Sequence, residues 1–146
     1  MEFNTQVKLA IYRHFAETGE APSPQTIADR LGVGVAQVEQ SYTDLRASRV
    51  LFLERDGRTI RMAPPFSGVA TQHRVQVGST AYFANCAWDA LGIPAALQQP
   101  GQVSSECAQT GERLTLEVGA AGPGTSDWVF HSLVASAHWW DDLVFT

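Results

Sequence analysis

Cys86 and Asp89 are the two residues whose types and spacing best suit chemistry in this sequence. The run Ala87–Leu91 predicts a short helix of about a turn and a half, which Gly92-Ile93-Pro94 would end. Cys86 would then lie at or just before the first helical turn, with Asp89 three residues further on the same side of the helix. A thiol and a carboxyl so placed can pass a proton to each other or to a shared substrate.

The helix start also bears on the reactivity of the thiol. Unpaired N–H groups at a helix N-terminus carry partial positive charge and favour thiolate, so a pKa below the usual value of about 8.5 is expected for Cys86. We therefore expect Cys86 to be the more reactive of the two cysteines. A second interpretation is that Cys86 is a small buried apolar residue and Asp89 only complements the helix dipole. The spacing alone leaves both interpretations open.

Metal binding by the two cysteines, Cys86 and Cys107, is the next hypothesis to weigh. Neither a CxxC nor an HxxxH pair occurs, which argues against a structural zinc site, and no cofactor is predicted. Two free thiols with a carboxylate could still bind a soft metal ion, since thiolates select soft ions. The histidines are scattered and are expected to be surface or core residues. They are His14, His73, His131 and His138.

The elements around these residues are mostly strands. Residues 73–84 read as strand broken by Gly78-Ser79, and residues 102–107 and 113–118 predict an antiparallel hairpin. A further strand is predicted over 127–134, with Trp128, Phe130 and Leu133 as core candidates. The second half of the chain should therefore be mostly antiparallel β structure with short helices.

Three helices and a hairpin are predicted in the first half. The helices cover 4–18, with Asn4 or Thr5 as N-cap, then 24–31 after the N-cap Ser23, and 35–48 with Val35 facing inward. Strand-like runs 50–53 and 59–62 flank an Asp-Gly turn, which is a strong hairpin signal. This order predicts a winged helix-turn-helix.

Composition divides the chain at about residue 65. Residues 1–65 carry eight basic and eight acidic residues, whereas residues 66–146 carry two basic and seven acidic ones, and Pro64-Pro65 breaks regular structure. We predict an α+β protein with a winged-helix-like domain over 1–65 and a thiol-bearing domain over 66–146. No apolar run reaches the length of a membrane span and no signal peptide is evident, so a cytoplasmic location is expected.

The winged-helix pattern raises the question of DNA binding. The third helix offers Gln37, Gln40 and Arg46 for base contacts, but Glu39 and Asp44 on the same helix would repel phosphates. The net charge of −5 points the same way. We expect no specific DNA binding, with the helical unit used for packing.

Three blocks of this sequence resemble the alkylmercury (organomercurial) lyase family. They are Tyr82 to Ala95, which contains Asn85-Cys86-Ala87-Trp88-Asp89, then Val103 to Gly111, and finally His138 to Thr146. They occur in the family's order. The resemblance implies protonolytic cleavage of carbon–mercury bonds, in which a cysteine thiolate captures mercury and an aspartic acid protonates the leaving carbon. Cys86 matches that cysteine and Asp89 matches that acid.

The resemblance also implies a second catalytic cysteine, which would lie at or just after Thr146, and neither cysteine of this sequence matches it. Cys107 matches a family cysteine not usually assigned to catalysis, so it is only a weak candidate mercury ligand. Two functions remain open: a lyase acting on small organomercurials, or a binding or sensor protein for Hg(II) or another thiol-reactive ligand. An inactive lyase homologue belongs with the first of these, as a remnant of the enzyme. The oligomeric state is not predicted.

Overall fold

The computed structural model describes residues 1–142, which form four α-helices and two antiparallel sheets. The helices are α1 (Phe3–Thr18), α2 (Pro24–Leu31), α3 (Val35–Ala47) and α4 (Ala87–Leu97). The strands are β1 (Phe52–Leu53), β2 (Ile60–Ala63), β3 (Phe66–Ser67), β4 (Arg74–Val77), β5 (Thr80–Phe83), β6 (Gly101–Glu106), β7 (Arg113–Gly119) and β8 (Gly122–Pro123). The α+β class and the antiparallel pairing are confirmed. No helix within 1–142 is both long and apolar enough to cross a bilayer.

The first three helices follow their sequence signals closely. In α2 the Thr26 N–H donates to Ser23 Oγ at 3.1 Å, and Gly32 ends the helix in a left-handed conformation. The predicted cap of α1 is wrong, because the helix already begins at Phe3 and Asn4 donates instead to Asp44. Val35 is also misassigned to the inner face, since it is 36% exposed at the start of α3.

The predicted hairpin forms the first sheet, in the order β1-β2-β3. Its turn is closed by Asp56, whose carboxylate accepts from the Arg58 and Thr59 N–H groups and from the Thr59 hydroxyl. These bonds lower the pKa of Asp56 to about 2, the Thr59 hydroxyl bond being the largest cause. Gly57 supplies the positive φ that the turn requires.

The second sheet has the order β5-β4-β6-β7-β8, and α4 packs against β4, β6 and β7. The break at Gly78-Ser79 and the hairpin of β6 with β7 are as predicted. Because β5 and β6 both run antiparallel to β4, they leave the sheet at the same end. Cys86 follows β5 and Cys107 follows β6, so both cysteines lie beyond that end.

Helix α4 is longer than predicted, which corrects the expected stop at Gly92-Ile93-Pro94. It continues to Leu97 and ends at Gln98 in the left-handed conformation. Pro94 removes one helical N–H, but its buried ring packs against the start of β6, where a Cβ on Gly101 would lie 3.0 Å from Pro94 Cγ. Tertiary packing therefore outweighs the local cost of the proline.

The strand predicted over 127–134 is wrong. These residues follow β8, which already occupies the outer edge of β7, and they have no strand assignment. Trp128, Phe130 and Leu133 are 38%, 46% and 74% exposed, so they are not core residues. Phe130 instead contacts the exposed ring of Trp88 on α4, with 6.0 Å between ring centroids.

One hydrophobic core joins the two halves of the chain across the predicted boundary near residue 65. The Phe66 ring stacks on Phe15 of α1 at 5.3 Å between centroids and lies 5.6 Å from the ring of Tyr82 in β5. The Tyr82 hydroxyl donates to the Ala16 carbonyl at 2.6 Å. The two-domain division stays a prediction, but α1 is packed directly against both sheets.

Candidate functional site

Cys86 is the N-cap residue of α4, as the sequence predicts. Its backbone is extended, and its sulfur accepts a hydrogen bond from the Asp89 N–H at 3.4 Å. The Cys86 carbonyl accepts from the Ala90 N–H at 3.0 Å and closes the first turn. The thiol thus takes the place of the usual Ser or Asp cap and is held at the helix start.

Asp89 stands in the first turn of α4 and shares a hydrogen bond with the Cys86 thiol. Burial raises the pKa of the Asp89 carboxyl, and hydrogen bonds from Asn85 and Cys86 partly oppose that rise. The Asn85 Nδ2 donates to Asp89 Oδ2 at 3.0 Å. At a given pH, Asp89 therefore holds its proton more than an exposed aspartate does.

The expected lowering of the Cys86 pKa is corrected by the structure. Burial raises the pKa of this thiol, and the negative charge of Asp89 adds to the rise, while hydrogen bonds from the backbone N–H groups of Asp89 and Trp88 oppose it. The helix N-terminus acts in the expected direction, but desolvation outweighs it. Free Cys86 is thus a thiol that is protonated at neutral pH, next to a carboxyl that also favours its proton.

Two further residues complete the surroundings of the acid, and sequence reasoning missed both. The Tyr12 hydroxyl of α1 donates to the Pro64 carbonyl at 3.0 Å. Burial raises the pKa of Tyr12, and the charge of Asp89 contributes to the rise, which places the two groups in electrostatic contact. Tyr12 lies outside the apolar stripe of α1, so no pattern pointed to it.

Asn85 is the second missed residue, although it directly precedes Cys86 in the sequence. Its Nδ2 donates to the carbonyl oxygens of Pro65 and Phe66, at 3.4 and 3.2 Å, as well as to Asp89. The segment 64–66, which includes a cis bond between the two prolines, is thereby tied to the start of α4. In the sequence, only its position next to Cys86 indicates a role for Asn85.

Cys107 lies in the turn between β6 and β7 and has the opposite electrostatic character. A hydrogen bond from the Thr110 hydroxyl, together with the N–H groups of Thr110 and Gln109, lowers the pKa of the Cys107 thiol. Cys107 and Cys86 leave the same end of the sheet on strands separated by β4, so about 10 Å of sheet lies between their strands. Within residues 1–142, no three His, Cys, Asp or Glu side chains are grouped to hold a metal ion.

Two of the histidines, His73 and His138, pair with polar side chains away from the thiol and the acid. The His73 Nδ1 is 2.6 Å from Ser105 Oγ, and burial lowers the pKa of His73. His138 pairs with Asp141 at 3.0 Å on the exposed C-terminal segment. Neither arrangement involves Cys86 or Asp89.

The fold and the site define a class: an α+β protein in which a thiol and a carboxyl, each with a pKa raised by burial, are paired at the start of a sheet-packed helix. A family model described as "MerB: Alkylmercury lyase" matches residues 66–146, and the chain belongs to that family. Among solved structures, the crystal structure of the mercury-bound form of MerB2 is similar at 21% identity with a TM-score of 0.59. That match covers 84% of this chain and 68% of the other, and it establishes likeness of fold. No curated protein sequence matches.

Proposed function

We propose that this protein cleaves the carbon–mercury bond of small organomercurials, with Cys86 as the mercury-binding thiol and Asp89 as the proton donor. The observation that carries the proposal is the pair itself: a half-buried thiol hydrogen-bonded to a carboxyl whose pKa is raised by burial. Membership of the alkylmercury lyase family supports the same reaction.

The first step is capture of mercury. The Cys86 sulfur forms a bond to the mercury of R–Hg–X, the X⁻ group leaves, and the thiol gives up its proton to the Asp89 carboxylate. Soft metals favour thiolate, so mercury displaces the proton even from a thiol with a raised pKa. The hydrogen bond between the two side chains provides a direct route for that proton.

The second step is protonolysis. Asp89, now a carboxylic acid, delivers its proton to carbon while the carbon–mercury bond breaks and its electron pair forms the new C–H bond. The products are the hydrocarbon R–H, the Asp89 carboxylate and Hg(II) on the Cys86 sulfur. An external thiolate can take the second coordination position of Hg(II) and remove it. Because burial disfavours the Asp89 carboxylate, this carboxyl accepts the thiol proton more readily than an exposed aspartate would and retains it until it is transferred to carbon.

The test is release of hydrocarbon from a simple alkyl- or arylmercury salt, measured in the headspace with excess external thiol. We expect Cys86→Ser and Asp89→Asn to lower kcat/KM by about 10²–10⁴-fold, which is the usual contribution of a positioned acid. Cys107→Ser is the matched control, because it removes the other thiol, and it should change the rate by less than about threefold.

Three results would contradict the proposal. Full activity of Asp89→Asn would show that Asp89 is not the proton donor. A loss of activity in Cys107→Ser as large as in Cys86→Ser would show that Cys86 is not the specific mercury-binding thiol. Binding of Hg(II) at Cys86 without any hydrocarbon release would instead make this a binding protein for soft metals.

A further inference from the structure

Asn85 has an arrangement that capping and packing do not require. Its amide nitrogen is within hydrogen-bonding distance of three acceptors: Pro65 O, Phe66 O and Asp89 Oδ2. The amide has two N–H bonds, so all of its donor capacity is committed to the segment 65–66 and to the acid.

The orientation of this amide is fixed by its neighbours. If the group were rotated by half a turn, its oxygen would face two carbonyl oxygens and a carboxyl oxygen, and like partial charges would repel. In the favoured orientation, the Asn85 Oδ1 is buried with no hydrogen-bond partner within residues 1–142. A buried acceptor left unsatisfied is unfavourable, so the donor contacts on the nitrogen must outweigh it.

We infer that Asn85 is a positioning residue that holds Oδ2 of Asp89 and so directs the acidic proton to Oδ1 of the same carboxyl. An oxygen that accepts an N–H bond is a poor place for the proton, because the two hydrogens would be opposed. The Asp89 carboxyl therefore carries its proton on one defined oxygen, Oδ1. The segment 65–66 supports Asn85, since its two carbonyls anchor the same amide.

This inference predicts the direction of a measurable pKa change. The Asn85 hydrogen bond lowers the pKa of Asp89 and so opposes the rise caused by burial. Removing the donor should raise the pKa of Asp89 further. The expected effect of Asn85 on catalysis rests on the proposed role of Asp89 as proton donor. The expected effect of Asn85 on the Asp89 pKa rests only on the geometry of the hydrogen bond.

The experiment is a ¹³C NMR titration of the aspartate carboxyl carbons, with the Asp89 resonance assigned by its loss in Asp89→Asn. We expect the Asp89 pKa to rise in both Asn85→Leu and Asn85→Ala, neither of which has a side-chain donor. Leu increases desolvation whereas Ala admits water, so a rise in both identifies the lost N–H donor as the cause. Asn85→Ala also serves where the Leu variant does not fold.

Asn4→Leu is the matched control. The Asn4 Nδ2 also donates to an aspartate, at 3.2 Å to Asp44 Oδ2, but on the helical unit formed by α1 and α3. This variant should leave the Asp89 pKa unchanged. In the hydrocarbon-release assay, both Asn85 variants should lower kcat by about tenfold to 10²-fold with a smaller effect on KM, because misplacing the donor affects the chemical step. The alkaline limb of their kcat profiles should also move to higher pH.

An unchanged Asp89 pKa in both Asn85 variants would overturn the inference, even if stability falls, because a purely structural residue would behave that way. If the parent chain releases no hydrocarbon, the proposed function fails while the titration still decides the role of Asn85. If the Asp89 pKa is unchanged in the Asn85 variants and the parent chain still releases hydrocarbon, the lyase proposal stands and the positioning role of Asn85 is wrong.

Discussion

Desolvation decides the acid–base character of the site at the scale of single residues. Cys86 has the helix start and two backbone N–H donors in its favour, yet burial and the neighbouring Asp89 raise its pKa. Cys107 has backbone donors too, and it also accepts a hydrogen bond from the Thr110 hydroxyl, which is the main cause of its lowered pKa. The two thiols therefore differ both in desolvation, which dominates at Cys86, and in this additional donor at Cys107.

This contrast predicts the order of alkylation. At pH 7, iodoacetamide should modify Cys107 faster than Cys86, because the thiolate is the nucleophile and a lower pKa supplies more of it. As pH rises toward the pKa of Cys86, the rates should converge. Mass mapping of both cysteines across pH 6 to 10 measures this order.

Asp89→Asn is the control for that measurement. It removes a negative charge that raises the Cys86 pKa, so alkylation of Cys86 should speed up while Cys107 is unaffected. A Cys86 that reacts faster than Cys107 in the parent chain at pH 7 would show that the helix N-terminus outweighs burial after all.

At the scale of secondary-structure elements, the end of α1 is in close contact with β5 of the second sheet. Gly19 ends the helix with a φ of 77°, and a Cβ there would collide with the Ala81 carbonyl of β5. The Tyr82 hydroxyl bond to Ala16 lies next to it. This contact holds α1, and with it Tyr12, against the sheet that leads to Cys86.

Gly19→Ala should therefore destabilise the protein by clearly more than about 1 kcal/mol, since the left-handed backbone alone costs about that much for a residue with a Cβ. Gly32→Ala is the matched control, because Gly32 is also a left-handed helix end, with a φ of 66°, but has open space around it. Urea unfolding of both variants measures the difference. An equal decrease in the free energy of unfolding in the two variants would mean that β5 shifts to accommodate the methyl group at position 19.

Sequence predicted most of these elements because their signals are local. Ser23 and Gly32 mark α2, Asp56 and Gly57 mark the hairpin, and alternation marks β4 to β7. The pairing of Cys86 with Asp89 was also visible, since it follows from helical spacing. Three features depend on distant contacts and could not be predicted: the continuation of α4 through Pro94, the absence of strand near Phe130, and the approach of Tyr12 to the acid.

At the scale of the whole molecule, the helical unit contributes Tyr12 to the surroundings of the acid, and two arginines of the hairpin are paired with acidic side chains. Arg58 of the hairpin turn pairs with Glu39 of α3 at 2.8 Å, so its charge is partly offset by a carboxylate. Arg61 pairs in the same way with Glu54, at 2.8 Å. Packing of α1 against β5 gives the unit a structural purpose of its own.

We accordingly expect no specific DNA binding by the intact protein. Selection from a random duplex library at moderate salt should enrich no sequence, because acidic side chains on α3 oppose phosphate contacts. Glu39→Gln, which frees Arg58, should increase salt-sensitive, sequence-independent binding at most. Recovery of a defined palindrome with the parent chain would instead favour the sensor hypothesis.

The stacking of Phe15 on Phe66 should affect how these two positions change during evolution, in addition to stabilising the fold. The family match begins at residue 66, yet Phe66 packs on a side chain that lies outside it. A change in the size of one ring leaves a gap or a clash at the other, so selection acts on the two positions jointly. Substitutions at positions 15 and 66 should therefore occur together as compensating pairs. Chimaeras that exchange the first 65 residues between distantly related sequences should fold less stably than either parent.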